Sequence, residues 1–199
     1  MSEETSLTIE APQPDQTRAE PAPKQSNLLR EIVETALLTA IIFLIVNTVI
    51  GRFRIEQVSM QPNLWEGEYV IVDKVSYMLH QPERGDIVVF KKSVGPDLIK
   101  RVIGLPGDTV EVRGGQVFVN GVALTEPYLA QPPNYVMPAR QIELDHFFVL
   151  GDNRNNSSDS HIWGSIPRDD IVGRAWIIYW PPPNWQVLSR PTYAAAEAP

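Results

Sequence analysis

The sequence lacks several features that mark common classes of protein. It has no cysteine, which excludes a disulfide framework, a thiolate nucleophile and a cysteine-based metal site. It has no long run of Lys and Arg, and its formal net charge is -7, which argues against nucleic acid as the main partner. After the first quarter of the chain it shows no sustained helical period, so little helix is expected there.

The first feature that is present is an uncharged apolar run over residues 35–51. As a helix this run would rise roughly 26 Å, against about 30 Å of hydrocarbon in a bilayer. A buried core helix is disfavoured because the run is apolar on all faces and is bracketed by Arg30 and Arg52. A cleaved signal peptide is disfavoured because no small-x-small cleavage site follows. We predict a retained single-pass transmembrane helix over residues 30–52, after a disordered Pro- and Glu-rich tail over residues 1–29.

From residue 53 onward the pattern changes to short apolar runs broken by Gly, Pro and Asp, which is typical of strands and turns. The predicted strands are Glu68–Val72, Asp86–Phe90, Leu98–Ile103, Thr109–Val112, Gln116–Val119, Phe147–Leu150 and Ala175–Tyr179. The dipeptide Asn120-Gly121 predicts a hairpin turn. We therefore predict a mainly β fold with a single β-rich domain over residues 53–182, a Pro-rich excursion near residues 125–145 and a C-terminal tail over residues 183–199.

Ser59 and Lys100 are the candidates for nucleophilic chemistry. Ser59 follows the apolar run closely, and an amide-cleaving serine needs a base to take its proton. None of the three histidines lies beside an apolar strand with a carboxylate placed to orient it. Lys100 does lie inside an apolar strand, on the face of Leu98 and Val102, where burial would favour its neutral form. The alternative for Lys100 is an edge-strand lysine that prevents aggregation; its neighbour Arg101 points the other way and suits a solvated or ion-paired role.

A dense polar loop over residues 151–164 follows a predicted buried strand directly. So many consecutive polar groups, closed by Trp163-Gly164, indicate a hydrogen-bonding network beside a site. A cation-binding loop is the alternative, since acids and amides supply oxygen ligands. The spacing does not match the calcium-loop pattern, so no metal site is predicted.

Three motifs in this order resemble those of the bacterial type I signal peptidases, which are Ser-Lys dyad serine proteases also called leader peptidases. The motifs are Ser59-Met60-x-Pro62, Lys100-Arg101-x-x-Gly104-x-Pro106-Gly107-Asp108 and Gly151-Asp152-Asn153-Arg154…Ser157-x-Asp159-Ser160…Trp163-Gly164. The resemblance covers about residues 32–182. Asn155 and His161 make the last motif similar to the cyanobacterial and plastid thylakoid branch.

The resemblance implies a role for each matching residue. Ser59 would be the nucleophile, and its backbone N–H would form half of the oxyanion hole. Lys100 would be the neutral general base, and Ser157 would hydrogen-bond its amine. The residues implied to brace the polar loop are Asp152, Arg154, Asp159 and His161. The residues implied to wall shallow substrate pockets are Ile55, Met60, Leu64, Leu98 and Ile99.

The chain also departs from the common pattern of that family. Many members have Ser or Gly two residues before the nucleophile, where Ser supplies a second oxyanion donor, and this chain has Gln57. Asn63 stands where Thr is common. His161 stands where Arg is common, which weakens a salt bridge with Asp159 near neutral pH. The nucleophile and the base are both retained.

The resemblance implies a membrane-anchored endopeptidase that removes signal peptides after small residues, typically Ala-x-Ala. The implied partners are preproteins, the lipid bilayer and the secretion translocon, and no cofactor is implied. The domain would lie on the extracytoplasmic side of the cell membrane, or in the lumen of a thylakoid. Two alternatives stay open: a non-catalytic membrane-tethered module that binds peptides, and a self-cleaving Ser-Lys regulator.

Overall fold

The computed structural model describes residues 28–92 and 95–193. The greater part of the predicted N-terminal tail, residues 1–27, lies outside the described residues, and so do residues 194–199.

The first element is helix α1, Leu28–Val49. Its 22 residues rise about 33 Å, and an 18-residue window within it has a mean hydropathy of 2.2, so it is long and apolar enough to cross a membrane. Large apolar side chains such as Ile41 and Phe43 are exposed on it. The predicted span of residues 30–52 differs at its end, because residues 50–52 pair in a strand instead of continuing the helix.

Within the described residues the rest of the chain forms twelve strands and two single-turn α-helices, which confirms the predicted mainly β fold. The helices are α2 (Ser76–Leu79) and α3 (Ser160–Trp163). The strands are β1 (Ile50–Arg54), β2 (Tyr69–Asp73), β3 (Ile87–Phe90), β4 (Leu98–Gly104), β5 (Thr109–Arg113), β6 (Gln116–Val119), β7 (Val122–Ala123), β8 (Met137–Gln141), β9 (His146–Leu150), β10 (Ile166–Pro167), β11 (Ile171–Trp180) and β12 (Gln186–Val187).

The strands form two antiparallel sheets. The larger has the order β1-β2-β11-β3-β4-β9-β10, with β12 beside β11, and the smaller has the order β7-β6-β5-β8. The turn between β6 and β7 is the predicted hairpin: Asn120 and Gly121 have φ of 52° and 80°, and the flanking residues Val119 and Val122 pair. Positive φ at both central residues is what a type I′ turn requires.

Strand β4 lies inside the larger sheet, between β3 and β9, and all seven of its residues are buried. Leu98 and Val102 pack in one apolar cluster with Phe147, and Ile99 packs in another. Because both faces are covered, the polar side chains that this strand carries are taken out of water together with its aliphatic ones.

Two stretches predicted to be irregular contribute to the body. Strand β8 lies within the predicted excursion over residues 125–145 and pairs with β5. Strand β12 lies within the predicted C-terminal tail and is followed by the buried residue Leu188. Arg190 then donates from Nε to Asp86 Oδ1 at 2.9 Å. The described part of that tail therefore packs on the β-rich body.

Candidate active site

Ser59 lies in a single 3₁₀ turn, Val58–Met60, directly after an extended residue, Gln57. The turn is held in place by Met60 and Leu64, which are fully buried in the apolar core. The chain before the turn is held by Ile55, whose N–H donates to Glu68 O at 2.8 Å. Ser59 itself is buried, so its hydroxyl has little competition from solvent.

Lys100 lies on β4 opposite Val88 and points at this turn. Its Nζ is 2.7 Å from Ser59 Oγ and 3.0 Å from the Ile99 carbonyl oxygen. The side chain is 1% exposed. Burial lowers the pKa of Lys100 from 10.5 to about 8, although the negative charges of Asp159 and Asp152 act to raise it. The site therefore holds an amine that can be neutral near physiological pH, within hydrogen-bond reach of a serine hydroxyl.

The polar loop lies against the serine turn through Gly151 and Asn153. Asn153 donates from its backbone N–H to Ser59 O at 2.9 Å, and from Nδ2 to Val58 O at 3.2 Å. A Cβ added to Gly151 would lie 2.5 Å from Ser59 O and 2.2 Å from Ser157 Oγ. Only glycine allows the loop and the turn to approach this closely.

Ser157 is in this contact region, but its hydroxyl does not make the predicted hydrogen bond to Lys100 in the structure. Ser157 Oγ is buried and has no hydrogen-bond partner among the described residues. A buried hydroxyl without a hydrogen-bond partner costs free energy. A hydrogen bond to a group that moved toward it would remove that cost. Its role toward the lysine amine stays a prediction.

Asp159 connects the loop to helix α3. Its carboxylate is fully buried; Oδ2 accepts from Gly151 N at 2.9 Å and Oδ1 lies 2.6 Å from His161 Nδ1. The His161 ring stacks on Tyr135, with centroids 4.1 Å apart. We expected His161, in place of the common Arg, to weaken a salt bridge with Asp159. In the structure the side chains of Asp159 and His161 are in direct contact.

Two buried ion pairs link the strand of Lys100 and the polar loop to their surroundings. Arg101 donates to both oxygens of Asp152, at 2.8 and 2.7 Å, so of its two predicted roles the ion-paired one is observed. Arg154 donates to both oxygens of Glu126, at 2.8 and 2.6 Å. Tyr128 places its ring 4.1 Å from the Arg101 guanidinium carbon.

Sequence reasoning missed Glu126 and Tyr128 as parts of this site, and it placed Gly151 in the polar-loop motif without giving it a role. The signal for Glu126 and Tyr128 was weak: they stand in a Pro-rich stretch that reads as a loop. Gly151 carried a clearer signal, since it follows an apolar strand and precedes the polar run directly.

A groove of about 220 Å³ lies beside Gln57. Its walls are residues 52–54 and 56–57 on one side and residues 96–99 on the other. Of the predicted pocket residues, Leu98 and Ile99 line this groove. The other three, Ile55, Met60 and Leu64, lie in the buried core. Among the described residues, no group of three or more His, Asp or Glu side chains could hold a metal ion.

Comparison with known proteins gives consistent matches. A family model described as "Signal peptidase, peptidase S26" matches residues 28–180, which contain every residue of the site above. Signal peptidase I of Leptolyngbya laminosa is 44% identical over 86% of this chain and 91% of that protein. Probable signal peptidase I-2 of Synechocystis is 42% identical over 82% of this chain and 78% of that protein. Thylakoidal processing peptidase 1 of Arabidopsis thaliana is 42% identical over 64% of this chain and 41% of that protein.

Proposed function

Because the chain belongs to the type I signal peptidases of peptidase family S26, in the branch that holds the cyanobacterial and thylakoidal enzymes, we propose that it cleaves signal peptides with Ser59 as nucleophile and Lys100 as general base. The observation that carries the proposal is the 2.7 Å distance between Lys100 Nζ and Ser59 Oγ, inside a water-poor site.

The reaction divides into two half-reactions, and in each of them a proton passes through the same amine. Neutral Lys100 accepts the hydroxyl proton as Ser59 Oγ attacks the scissile carbonyl carbon. The resulting ammonium gives that proton to the leaving amine, which departs as the new N-terminus of the mature protein. A water molecule then attacks the acyl-enzyme ester while Lys100 accepts its proton, and Lys100 returns that proton to Ser59 Oγ as the bond to the signal peptide breaks.

The oxyanion of the tetrahedral intermediate needs donors near Ser59. The backbone N–H of Ser59 suits this role, because the first N–H groups of a short helix have no acceptor within the helix. Gln57 is the candidate for the second donor. It is exposed beside the groove, and its side-chain amide has two N–H groups to offer.

The substrate is proposed to lie in the groove as an added strand, with alternate side chains directed at the enzyme. Leu98 and Ile99 on the groove wall, with Ile55, Met60 and Leu64 in the same buried cluster as Ile99, would leave room for small side chains only. This arrangement favours Ala-x-Ala before the cut, because larger side chains would have to displace a packed core.

Helix α1 is proposed to be the membrane anchor, and the β-rich domain is proposed to act on the extracytoplasmic or lumenal side. Ser59 follows the end of this helix by ten positions along the chain. Anchoring places enzyme and preprotein in one bilayer, which raises their effective concentration. The proposed partners are preproteins, bilayer lipid and the secretion translocon.

The test is cleavage of a preprotein by the full-length chain in detergent and lipid. Ser59→Ala and, separately, Lys100→Met are each expected to abolish cleavage while leaving the fold and the binding of the preprotein intact. Persistent cleavage in both variants would refute the assignment of Ser59 and Lys100 as the catalytic dyad. Binding of signal peptides without cleavage by the unmodified chain would instead favour a peptide-binding module.

A further inference from the structure

Glu126 is a buried charge that the proposed reaction does not use. Its side chain is 6% exposed and that of its partner Arg154 is 0% exposed. Replacing such a pair with apolar side chains is often neutral or stabilising, because desolvation of two charges costs about as much as their attraction returns. Stabilisation of the fold therefore does not explain this ion pair well, and its position in the site indicates a functional role.

One set of contacts leads from Glu126 to the serine turn. Arg154, held by Glu126, donates from Nε to the Gly151 carbonyl oxygen at 3.1 Å. Gly151 is the residue that has no room for a Cβ against Ser59 O. Asn153, next to Arg154, donates to that same Ser59 oxygen. A shift of the arginine would therefore be transmitted to the backbone of the nucleophile.

A second set leads from Glu126 to the lysine strand. Tyr128 donates from its hydroxyl to Glu126 Oε1 at 2.6 Å, and its ring covers the guanidinium of Arg101, the neighbour of Lys100 on β4. The Tyr128 carbonyl oxygen also accepts from Asn63 Nδ2 at 2.9 Å, and the same amide donates to Asp152 Oδ2 at 2.8 Å. Asn63 lies just after the serine turn.

We infer that Glu126 is a positioning residue for the dyad, which joins the turn of Ser59 to the strand of Lys100 through Arg154 and Tyr128. This inference rests on the proposed function. The Pro-rich stretch then supplies the carboxylate that keeps the turn of Ser59 and the strand of Lys100 in fixed relative positions. Misplacement of reacting groups by about 1 Å can cost on the order of a hundredfold in rate.

The experiment compares Glu126→Gln with a matched variant, Asp86→Asn, in the full-length chain. Asp86 is also a buried carboxylate that accepts from an arginine, Arg190 at 2.9 Å, and from a tyrosine hydroxyl, Tyr77 at 2.9 Å. Both variants are expected to lower the unfolding temperature. Only Glu126→Gln is expected to lower kcat, by about tenfold or more, with KM for a preprotein changed less than about threefold.

Two further variants keep the inference open to refutation if Glu126→Gln does not fold. Glu126→Asp retains the charge and is expected to recover part of kcat. The double variant Glu126→Gln/Arg154→Met is expected to be slower than Arg154→Met alone by less than the full loss seen in Glu126→Gln, because the Arg154 connection is already broken and only the Tyr128 connection remains to be lost.

Equal kcat losses in Glu126→Gln and Asp86→Asn would overturn the inference, as would additive losses in the double variant. Loss of cleavage in Ser59→Ala and Lys100→Met, with kcat unaffected in every Glu126 variant, would refute the positioning role and leave the proposed function standing. Cleavage that survives in both dyad variants would refute the proposed function instead.

Discussion

Burial and the nearby negative charges shift the pKa of Lys100 in opposite directions, and burial has the larger effect. Burial lowers the pKa of its amine to about 8, while Asp159 and Asp152 act to raise it. A lysine whose pKa is lowered on folding is protonated below that value and neutral above it. In the proposed mechanism only the neutral amine can accept the Ser59 proton, so the rate would depend on the neutral fraction.

We therefore expect kcat/KM to rise about tenfold per pH unit below pH 8 and to level off above it. The measurement is the pH dependence of preprotein cleavage, with circular dichroism at each pH to establish that the fold persists. A midpoint near 10.5, the value of an unperturbed lysine, would contradict the assignment of a buried base, and so would a flat profile between pH 6 and 9.

Gly151 is a second residue whose identity is set by the site. Gly151→Ala would place a methyl group 2.5 Å from Ser59 O, so the turn or the loop must shift. Gly173→Ala is a matched control, because its Cβ would lie 2.5 Å from Asp73 O, a backbone oxygen of β2.

Both glycine variants are expected to lose stability, by about 1–3 kcal/mol in denaturant unfolding. Only Gly151→Ala is expected to lose cleavage by about a hundredfold beyond what unfolding explains. Similar specific activities of the two folded variants would mean that the loop does not need to contact the nucleophile so closely.

Among the strands, those with a continuous apolar run were predictable and those without one were not. Strand β4 and strand β9 appear nearly as predicted, because their buried positions are all filled by apolar or motif residues. The first three residues of strand β1 were assigned to the end of the membrane span, since Ile50 continues the apolar run and the pairing with β2 is long-range. Strand β8 was hidden by Pro138 and by its polar residues, and in the part of the chain that the structure describes it pairs with β5 alone.

The same limit applies to the site. The residues alone left the roles of Ser59, Lys100 and the loop after β9 open, and the resemblance to a known family implied that they come together; in the structure Lys100 Nζ lies 2.7 Å from Ser59 Oγ, and Asn153 of the loop donates to Ser59 O. The partners Glu126 and Tyr128 are brought in by tertiary folding of an irregular stretch, which leaves no periodic trace in the sequence. The resemblance implied aliphatic residues as the walls of the substrate pockets, and aliphatic residues are also what a core requires.

The segment after β12 provides a prediction about stability. Leu188 is 6% exposed and packs in the core of the larger sheet, while its neighbour Val187 is 60% exposed. We expect Leu188→Ala to lower the free energy of unfolding by about 2–5 kcal/mol, because it leaves a cavity. Val187→Ala is the adjacent control and should change it by less than about 0.5 kcal/mol. Equal effects of the two changes would indicate that this segment does not belong to the folded body.

The whole chain combines two kinds of structure that suit different solvents. Helix α1 exposes large apolar side chains and satisfies its backbone internally, which is what a lipid environment requires. The body from Ile50 onward buries its own apolar clusters, and its first strand is held by pairing with β2. These properties imply that catalysis and membrane attachment can be separated.

A chain that begins at Ile50 is therefore expected to cleave a short peptide spanning a signal-peptide cleavage site, with kcat within about tenfold of the full-length chain in detergent. It should also be released from membranes by an alkaline wash that the full-length chain resists, because the span contributes the apolar burial that holds the protein there. The Ser59→Ala form of the shortened chain provides the background rate. If the shortened chain stayed in the membrane fraction, exposed side chains of the body such as Trp176, Trp180 and Trp185 would have to supply the attachment. If it folded but did not cleave the peptide, the helix would be needed for catalysis as well as for anchoring.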